Sequence, residues 1–312
     1  MTGSNALRTR PSLLERAAEI YDFSSGRLVA QPPELEPVAS PPPEPEAVPV
    51  APPVKVDREL RRAAPPSGRR VTIDRERLRS GGFILPDAPV TGLAEELRLI
   101  KRQLLLSASG KTGIAEDKRR RILVCSAQPD EGKTFCALNL ALSLSSERDL
   151  EVLLVDGDFP KPEILSLLGV EGGPGLVDAL ADPGADLEAF VVRTDLGGLS
   201  LLPAGRKANN VPELLASERT SEVLAALTDR NPRRIIIFDS PPALMASPAS
   251  VLASHVGQAL VVVRADRTTE SDLKETVDLL SACDRVGLVL NGAGFAASGR
   301  RFGHYYGYEQ CS

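Results

Sequence analysis

Short runs of Val, Ile and Leu recur along the later part of the chain, at 121–125, 152–155, 199–202, 235–238, 259–263 and 287–290. Most are apolar throughout rather than alternating with polar positions, the pattern of strands buried on both faces of a sheet. Segments with helical spacing lie between most of them, notably 132–146, 211–226 and 270–281. Another, at 91–106, puts Leu93, Leu97, Ile100 and Leu104 on one face. Strand–helix alternation of this kind predicts an α/β fold, a doubly wound and mostly parallel sheet, here spanning 86–291.

Outside that span the pattern changes. The N-terminal segment 1–30 is expected to form one short amphipathic helix, 12–21, behind a Ser12 cap. Residues 31–85 read as a linker, Pro-rich first and basic afterwards. Between 31 and 66 it is dominated by Pro, Glu, Ala and Val, a composition that cannot bury enough surface to order itself. Residues 71–85 are expected to dock on the domain as an irregular arm. From 292 to 312 the chain is rich in Gly, Ser and Arg and reads as a flexible tail. No internal repeat is evident.

Composition narrows the function classes. Of 312 residues, 42% are hydrophobic and 25% charged, enough for a well-buried core. A net charge of −5 argues against a general nucleic-acid binder. The Arg-rich stretch 55–79 reads as a solvated tether, with contact to acidic lipids or an acidic partner as the alternative. The four cysteines lack metal-ligand spacing and do not form a disulfide framework, so reduced cytosolic thiols are expected. No apolar run approaches the ~20 residues that span a bilayer, and no signal-peptide pattern is present. The expectation is a soluble cytoplasmic chain whose membrane role, if any, runs through a partner.

The chemistry concentrates in three segments. Ala127-Gln128-Pro129-Asp130-Glu131-Gly132-Lys133-Thr134 has the spacing of a phosphate-binding loop between a strand and a helix. Such a loop aims backbone N–H groups and a helix N-terminus at phosphate oxygens. Asp130, Glu131, Gly132, Lys133, Thr134 and Phe135 are therefore the expected nucleotide-binding residues. Lys133 would add a mobile charge on the terminal phosphates, and Thr134 a hydroxyl ligand for Mg²⁺. Asp156 and Asp158 end the second apolar strand, and Asp239 ends another, at the edge where doubly wound sheets bind ligands. Asp156 and Asp239 join Thr134 as the expected metal ligands, in a fold of the P-loop NTPase type. Three of the four tyrosines, Tyr305, Tyr306 and Tyr308, sit in the tail, an odd place for a residue that normally packs half-buried.

These motifs together resemble the bacterial protein-tyrosine kinases (BY-kinases), and within them the exosortase-associated tyrosine autokinases of exopolysaccharide loci. The segments that carry the likeness are 126–134, 153–162, Leu202-Pro203-Ala204-Gly205, 212–217, Asp239-Ser240-Pro241-Pro242, Tyr305-Tyr306-Gly307-Tyr308 and, near the N-terminus, 13–18. The resemblance implies an ATP- and Mg²⁺-dependent kinase that phosphorylates Tyr305, Tyr306 and Tyr308 between neighbouring copies. Lys133, Asp156 and Asp158 would be its catalytic residues, and Asn291 either an adenine contact or a turn cap. It also implies a ring-shaped homo-oligomer built through Glu95, Arg98 and Lys101, and a membrane-anchored polysaccharide chain-length-determinant protein as activator, holding the kinase at the inner face of the cytoplasmic membrane. Two positions depart from the family pattern. Lys161 follows Phe159-Pro160 where an Arg is usual, and Lys101 replaces the second Arg of the Glu-x-x-Arg-x-x-Arg helix motif. The rival reading is a MinD/ParA-type ATPase acting as a nucleotide-switched positioning or scaffold protein. That class carries an extra lysine where this chain has Gln128.

Overall fold

A computed structural model of the chain describes residues 68–86, 91–110 and 112–293, together with the paired strands β1 (Tyr21–Asp22) and β2 (Arg27–Leu28). The chain divides into two units, 1–59 and 60–312. In the first, β1 and β2 pair antiparallel. Tyr21, expected at the end of a helix, is in β1; the rest of that helix, the Pro-rich 31–66 and the tail tyrosines lie outside the described residues.

The second unit is organised around an eight-stranded sheet ordered β10-β9-β4-β8-β5-β7-β6-β3. Its strands are β3 (Arg70–Val71), β4 (Arg121–Ser126), β5 (Glu151–Asp156), β6 (Val192–Thr194), β7 (Leu199–Leu202), β8 (Arg234–Asp239), β9 (Gln258–Arg264) and β10 (Arg285–Asn291). All neighbours are parallel except β6 and β7. The apolar strands serve two cores by alternation. Leu123, Leu153, Ile236 and Phe238 face one cluster, while Ile122, Val124, Leu154 and Ile237 face the other. This is the doubly wound, mostly parallel α/β arrangement that the strand–helix pattern predicts.

The second core is covered by α2 (Gly92–Ala108) and α3 (Lys133–Ser145). Helix α2 is amphipathic, buries Leu97 and Leu104, and is capped by Thr91, whose hydroxyl accepts from Ala94 N. Helix α3 is apolar nearly all round because it is buried nearly all round. The first core is covered by α5 (Leu176–Ala181), α7 (Val211–Leu215), α8 (Glu218–Asp229) and α9 (Pro248–Ala253), with Leu273 of α10 (Glu270–Leu279) packed against it.

The structure is richer than the pattern in two places. The arm is regular: it contributes β3 and helix α1 (Arg75–Ser80), and buries Ile73 and Leu78 completely. Its anchor is Asn139 of α3, whose side-chain amide oxygen accepts from Ile84 N at 2.8 Å. The segment read as one helix at 211–226 breaks into α7 and α8. There the Ser217 and Thr220 hydroxyls both donate to Leu214 O, competing with the helical ladder. Short elements such as α4 (Ile164–Leu167), α6 (Leu187–Phe190) and β6 are below the length at which periodicity registers.

Candidate active site

Strands β5 and β8 are adjacent with Asp156 opposite Asp239, and Val124 of β4 lies opposite Asp239 on the other side. The three sequence motifs therefore converge at one sheet edge. Between β4 and α3 the backbone takes an unusual path: Asp130 (φ 61°) and Gly132 (φ 94°) are both left-handed. Gly132 is required by its backbone conformation. Only glycine takes that φ without strain, and a Cβ there would lie 2.2 Å from the Asn291 amide nitrogen. Left-handed residues at 130 and 132 favour a concavity of N–H groups at the start of α3, suited to phosphate.

Glu131 is fully buried and folds back beneath the loop. One of its carboxylate oxygens accepts from Gln128 N at 2.9 Å, and the other from the Thr268 hydroxyl. Its carbonyl accepts from the Asn291 amide at 2.9 Å. The Glu131 side chain thus braces the loop, and Asn291 is engaged with loop backbone. The Gln128 amide donates to Asp272 at 3.4 Å.

Asp156 and Asp239 are 2% and 0% exposed. Asp156 Oδ2 accepts from Ile164 N at 3.1 Å, but its Oδ1 and both Asp239 oxygens have no hydrogen-bond partner among the described residues. Burial pushes both carboxyls from 3.8 up to about 7. The Ile164 N–H and then Lys133 oppose the rise at Asp156; at Asp239 Lys133 does so, followed by the Thr134 hydroxyl, which sits beside it without closing a hydrogen bond of normal geometry. Orphaned carboxylate oxygens on a dry strand end call for a cation. Among the described residues no cluster of three or more His, Cys, Asp or Glu could hold a metal alone. The fit is to Mg²⁺, which takes one or two carboxylates and completes its shell with phosphate and water. Thr134, Asp156 and Asp239 are the residues that would hold it.

Lys133 Nζ lies 2.8 Å from Asp158 Oδ2, with both side chains largely buried. Asp158 also accepts from Lys161 N at 3.2 Å. The Lys161 ammonium is exposed and pairs with Glu163 at 2.8 Å, so its charge goes to a surface carboxylate. An open cleft of about 610 Å³ leads away from the loop. Its walls include Phe135, Pro241, Pro242, Met245 and, from the arm, Phe83, whose ring is 5.1 Å from that of Phe135. Phe83 and Thr268 were not legible as site residues. Neither belongs to a motif, and each reaches the loop only through the tertiary fold.

The α2 charges are arranged differently. Arg98 is half exposed and pairs with Glu95 on its own helix. Lys101 turns inward, donating to Ser143 O at 3.2 Å and pairing with Glu147 at 2.7 Å. Tyr305, Tyr306 and Tyr308 lie outside the described residues.

No family model matches the chain. It is similar to the tyrosine-protein kinase Wzc of Salmonella typhimurium strain LT2, 33% identical over 193 residues, which cover 60% of this chain and 26% of Wzc. It is also similar to the tyrosine-protein kinase Etk of Escherichia coli K12, 27% identical over 220 residues, covering 70% of this chain and 29% of Etk. The chain thus spans under a third of the length of these curated relatives. Among solved structures, the kinase domain of Escherichia coli ETK matches with a TM-score of 0.55 and 23% identity, over 72% of this chain and 98% of that domain, a likeness of fold. With the motifs assembled at one sheet edge, the chain is similar over 57–70% of its length to bacterial proteins named as tyrosine-protein kinases.

Proposed function

We propose that this chain is an ATP-dependent protein-tyrosine autokinase that phosphorylates Tyr305, Tyr306 and Tyr308 on neighbouring copies of itself. The observation that carries the reading is the convergence of Lys133, Thr134, Asp156, Asp158 and Asp239, with buried carboxylate oxygens left unpartnered beside a phosphate-type loop. Thr134, Asp156 and Asp239 would hold Mg²⁺, which would supply charge neutralisation for the phosphates when bound. The loop from Asp130 to Phe135 would hold the phosphates through backbone N–H groups. Lys133 would leave Asp158 for the terminal phosphate, where it stabilises charge on the transferred group. That exchange would free Asp158 to assist Asp156 in accepting the phenol proton as the tyrosine oxygen bonds to phosphorus and the bond to ADP breaks.

Further parts of the reading rest on the family resemblance. The kinase would work as a ring and be activated by a membrane-anchored polysaccharide chain-length-determinant protein. It would thereby regulate exopolysaccharide polymerisation or export from the cytoplasmic face. Among the described residues no helix is long and apolar enough to cross a membrane, which fits recruitment through a partner. Phosphotyrosine carries roughly −1.5 to −2 charge and cannot re-enter the site as substrate, so accumulated phosphate would loosen the ring.

The test mixes two variants in Mg²⁺-ATP. One has Tyr305, Tyr306 and Tyr308 changed to Phe; the other is Lys133→Met. Phosphate mapped by mass spectrometry onto the Lys133→Met tail is the expected result. An unlabelled mixture, with wild type labelling at a concentration-independent rate, would exclude transfer between copies. No phosphotyrosine in wild type, with or without a chain-length-determinant tail, would sink the kinase reading.

A further inference from the structure

Asn291 is the last residue of β10, on the edge strand of the sheet, yet its side chain meets the phosphate loop. Chemistry fixes the orientation of its amide. Only the NH₂ can face the Glu131 carbonyl, 2.9 Å away, and only the amide oxygen can accept from Gly292 N, also at 2.9 Å. The amide nitrogen fills the space that a Cβ on Gly132 would need. It thus touches the loop at the centre of its unusual turn, between left-handed Asp130 and left-handed Gly132.

A second support enters from the same side. The Thr268 hydroxyl accepts from Arg264 N at 2.8 Å and donates to the buried Glu131 carboxylate. The other oxygen of that carboxylate holds Gln128 N. The loop is therefore gripped at a backbone carbonyl from the end of β10 and at a buried side chain from the turn that follows β9. A left-handed Asp is a conformation that costs free energy and persists only where its surroundings impose it.

We infer that Asn291 is a positioning residue for phosphate recognition, acting with Thr268 to hold the loop in its anion-binding shape rather than reading the nucleotide base. The inference rests on the proposed use of this loop for phosphate and is independent of where the phosphoryl group is delivered. It separates cleanly from the two alternatives at this position. An adenine contact would matter only for ligands with a base. A turn cap needs only the oxygen that accepts from Gly292 N, which an aspartate also supplies.

The decisive variant is Asn291→Asp, which keeps that acceptor, removes the donor and sets a carboxylate against the Glu131 carbonyl. Calorimetric binding of Mg²⁺-ATP and of Mg²⁺-tripolyphosphate, which has no base, would be compared with wild type. Both affinities should fall by a similar factor, about tenfold, the scale of one well-placed hydrogen bond. Thr268→Val should also weaken both probes together, and Thr268→Ser, which keeps both bonds, should restore them. Loss confined to ATP would overturn the inference in favour of a base contact. Unchanged binding of both probes by Asn291→Asp would reduce Asn291 to a cap. If Asn291→Asp unfolds, the Thr268 pair carries the test, and equal binding by Thr268→Val would refute the bracing. Wild type that binds neither probe would instead refute the phosphate-site reading itself.

Discussion

The C-terminal edge of β4, β5 and β8 and the outer face of α2 carry similar kinds of residue, lysine, arginine and carboxylates, but satisfy them in opposite ways. At the sheet edge Asp239 is wholly buried with neither oxygen hydrogen-bonded among the described residues, and Lys133 is drawn to Asp158 in a nearly dry pair. On α2 three motif charges are answered within the chain: Glu95 and Arg98 by each other one turn apart, and Lys101 by Ser143 O and Glu147. Burying a carboxylate without a partner costs several kcal/mol, so a fold keeps it only where something else completes it. A satisfied charge on a helix face carries no such demand. The difference teaches that unsatisfied burial, more than charge density, points to the chemistry.

Removing the cation from the dry edge should have the largest effect. Lys133→Met is expected to lower phosphotransfer at least about a hundredfold, as one transition-state charge contact is lost. It also leaves Asp158 buried and unpaired, which threatens stability. The double variant Lys133→Met, Asp158→Asn separates the two effects. Its denaturation midpoint should recover towards wild type while phosphotyrosine stays absent. Recovery of transfer in the double variant would remove Lys133 from the mechanism.

The unpartnered carboxylates make the contrast measurable by pH. Asp156 and Asp239 titrate near 7 in the folded protein, against 3.8 as free side chains. A raised folded value means that the native state holds more protons than the unfolded chain between those limits. Stability of the Mg²⁺-free protein should therefore decline as pH rises from about 4 through about 7, by roughly 2–4 kcal/mol for the coupled pair. Urea unfolding in EDTA across that range should show the slope, and Asp239→Asn should flatten it. An equal slope in Asp239→Asn would mean that Asp239 does not titrate there.

The next effect is smaller and belongs to α2. Lys101→Met keeps the packed stem but removes the bonds to Ser143 O and Glu147. It should cost about 1 kcal/mol and a few degrees of melting temperature. No change in thermal melting would mean that the inward pair is as weak as a surface ion pair.

The two regions were also unequally legible in the sequence. The long apolar strands and the helices α2, α3 and α10 announce themselves by period, and Lys133, Thr134, Asp156 and Asp239 by spacing and strand-end position. What stayed hidden depends on contacts far apart in the chain. Phe83 comes from an arm whose short strand and helix are ordered by Ile73, Leu78 and Asn139, not by their own periodicity. Asn291 and Thr268 meet Glu131 across more than a hundred residues, so no local pattern could show that they hold the loop. Lys101 sits at motif spacing beside Arg98, and only packing against α3 reveals that it turns inward.

That inward turn sharpens the last and smallest prediction. With Lys101 engaged inside the chain, Arg98 is the basic motif residue with its side chain half exposed, and its bond to Glu95 is an exposed i,i+3 pair. Such a pair contributes about 0.3–0.5 kcal/mol, so Arg98→Ala should leave the melting temperature almost unchanged. Self-association is the informative readout, because a planar guanidinium can exchange its own-helix carboxylate for one on a neighbouring copy at little cost. Sedimentation of unphosphorylated Arg98→Ala should show a lower average mass than wild type. Arg98→Lys should fall between the two, keeping the charge but losing the two-pronged geometry. Identical sedimentation of wild type and Arg98→Ala would make the outer face of α2 an ordinary solvated surface and leave the ring without its expected contact.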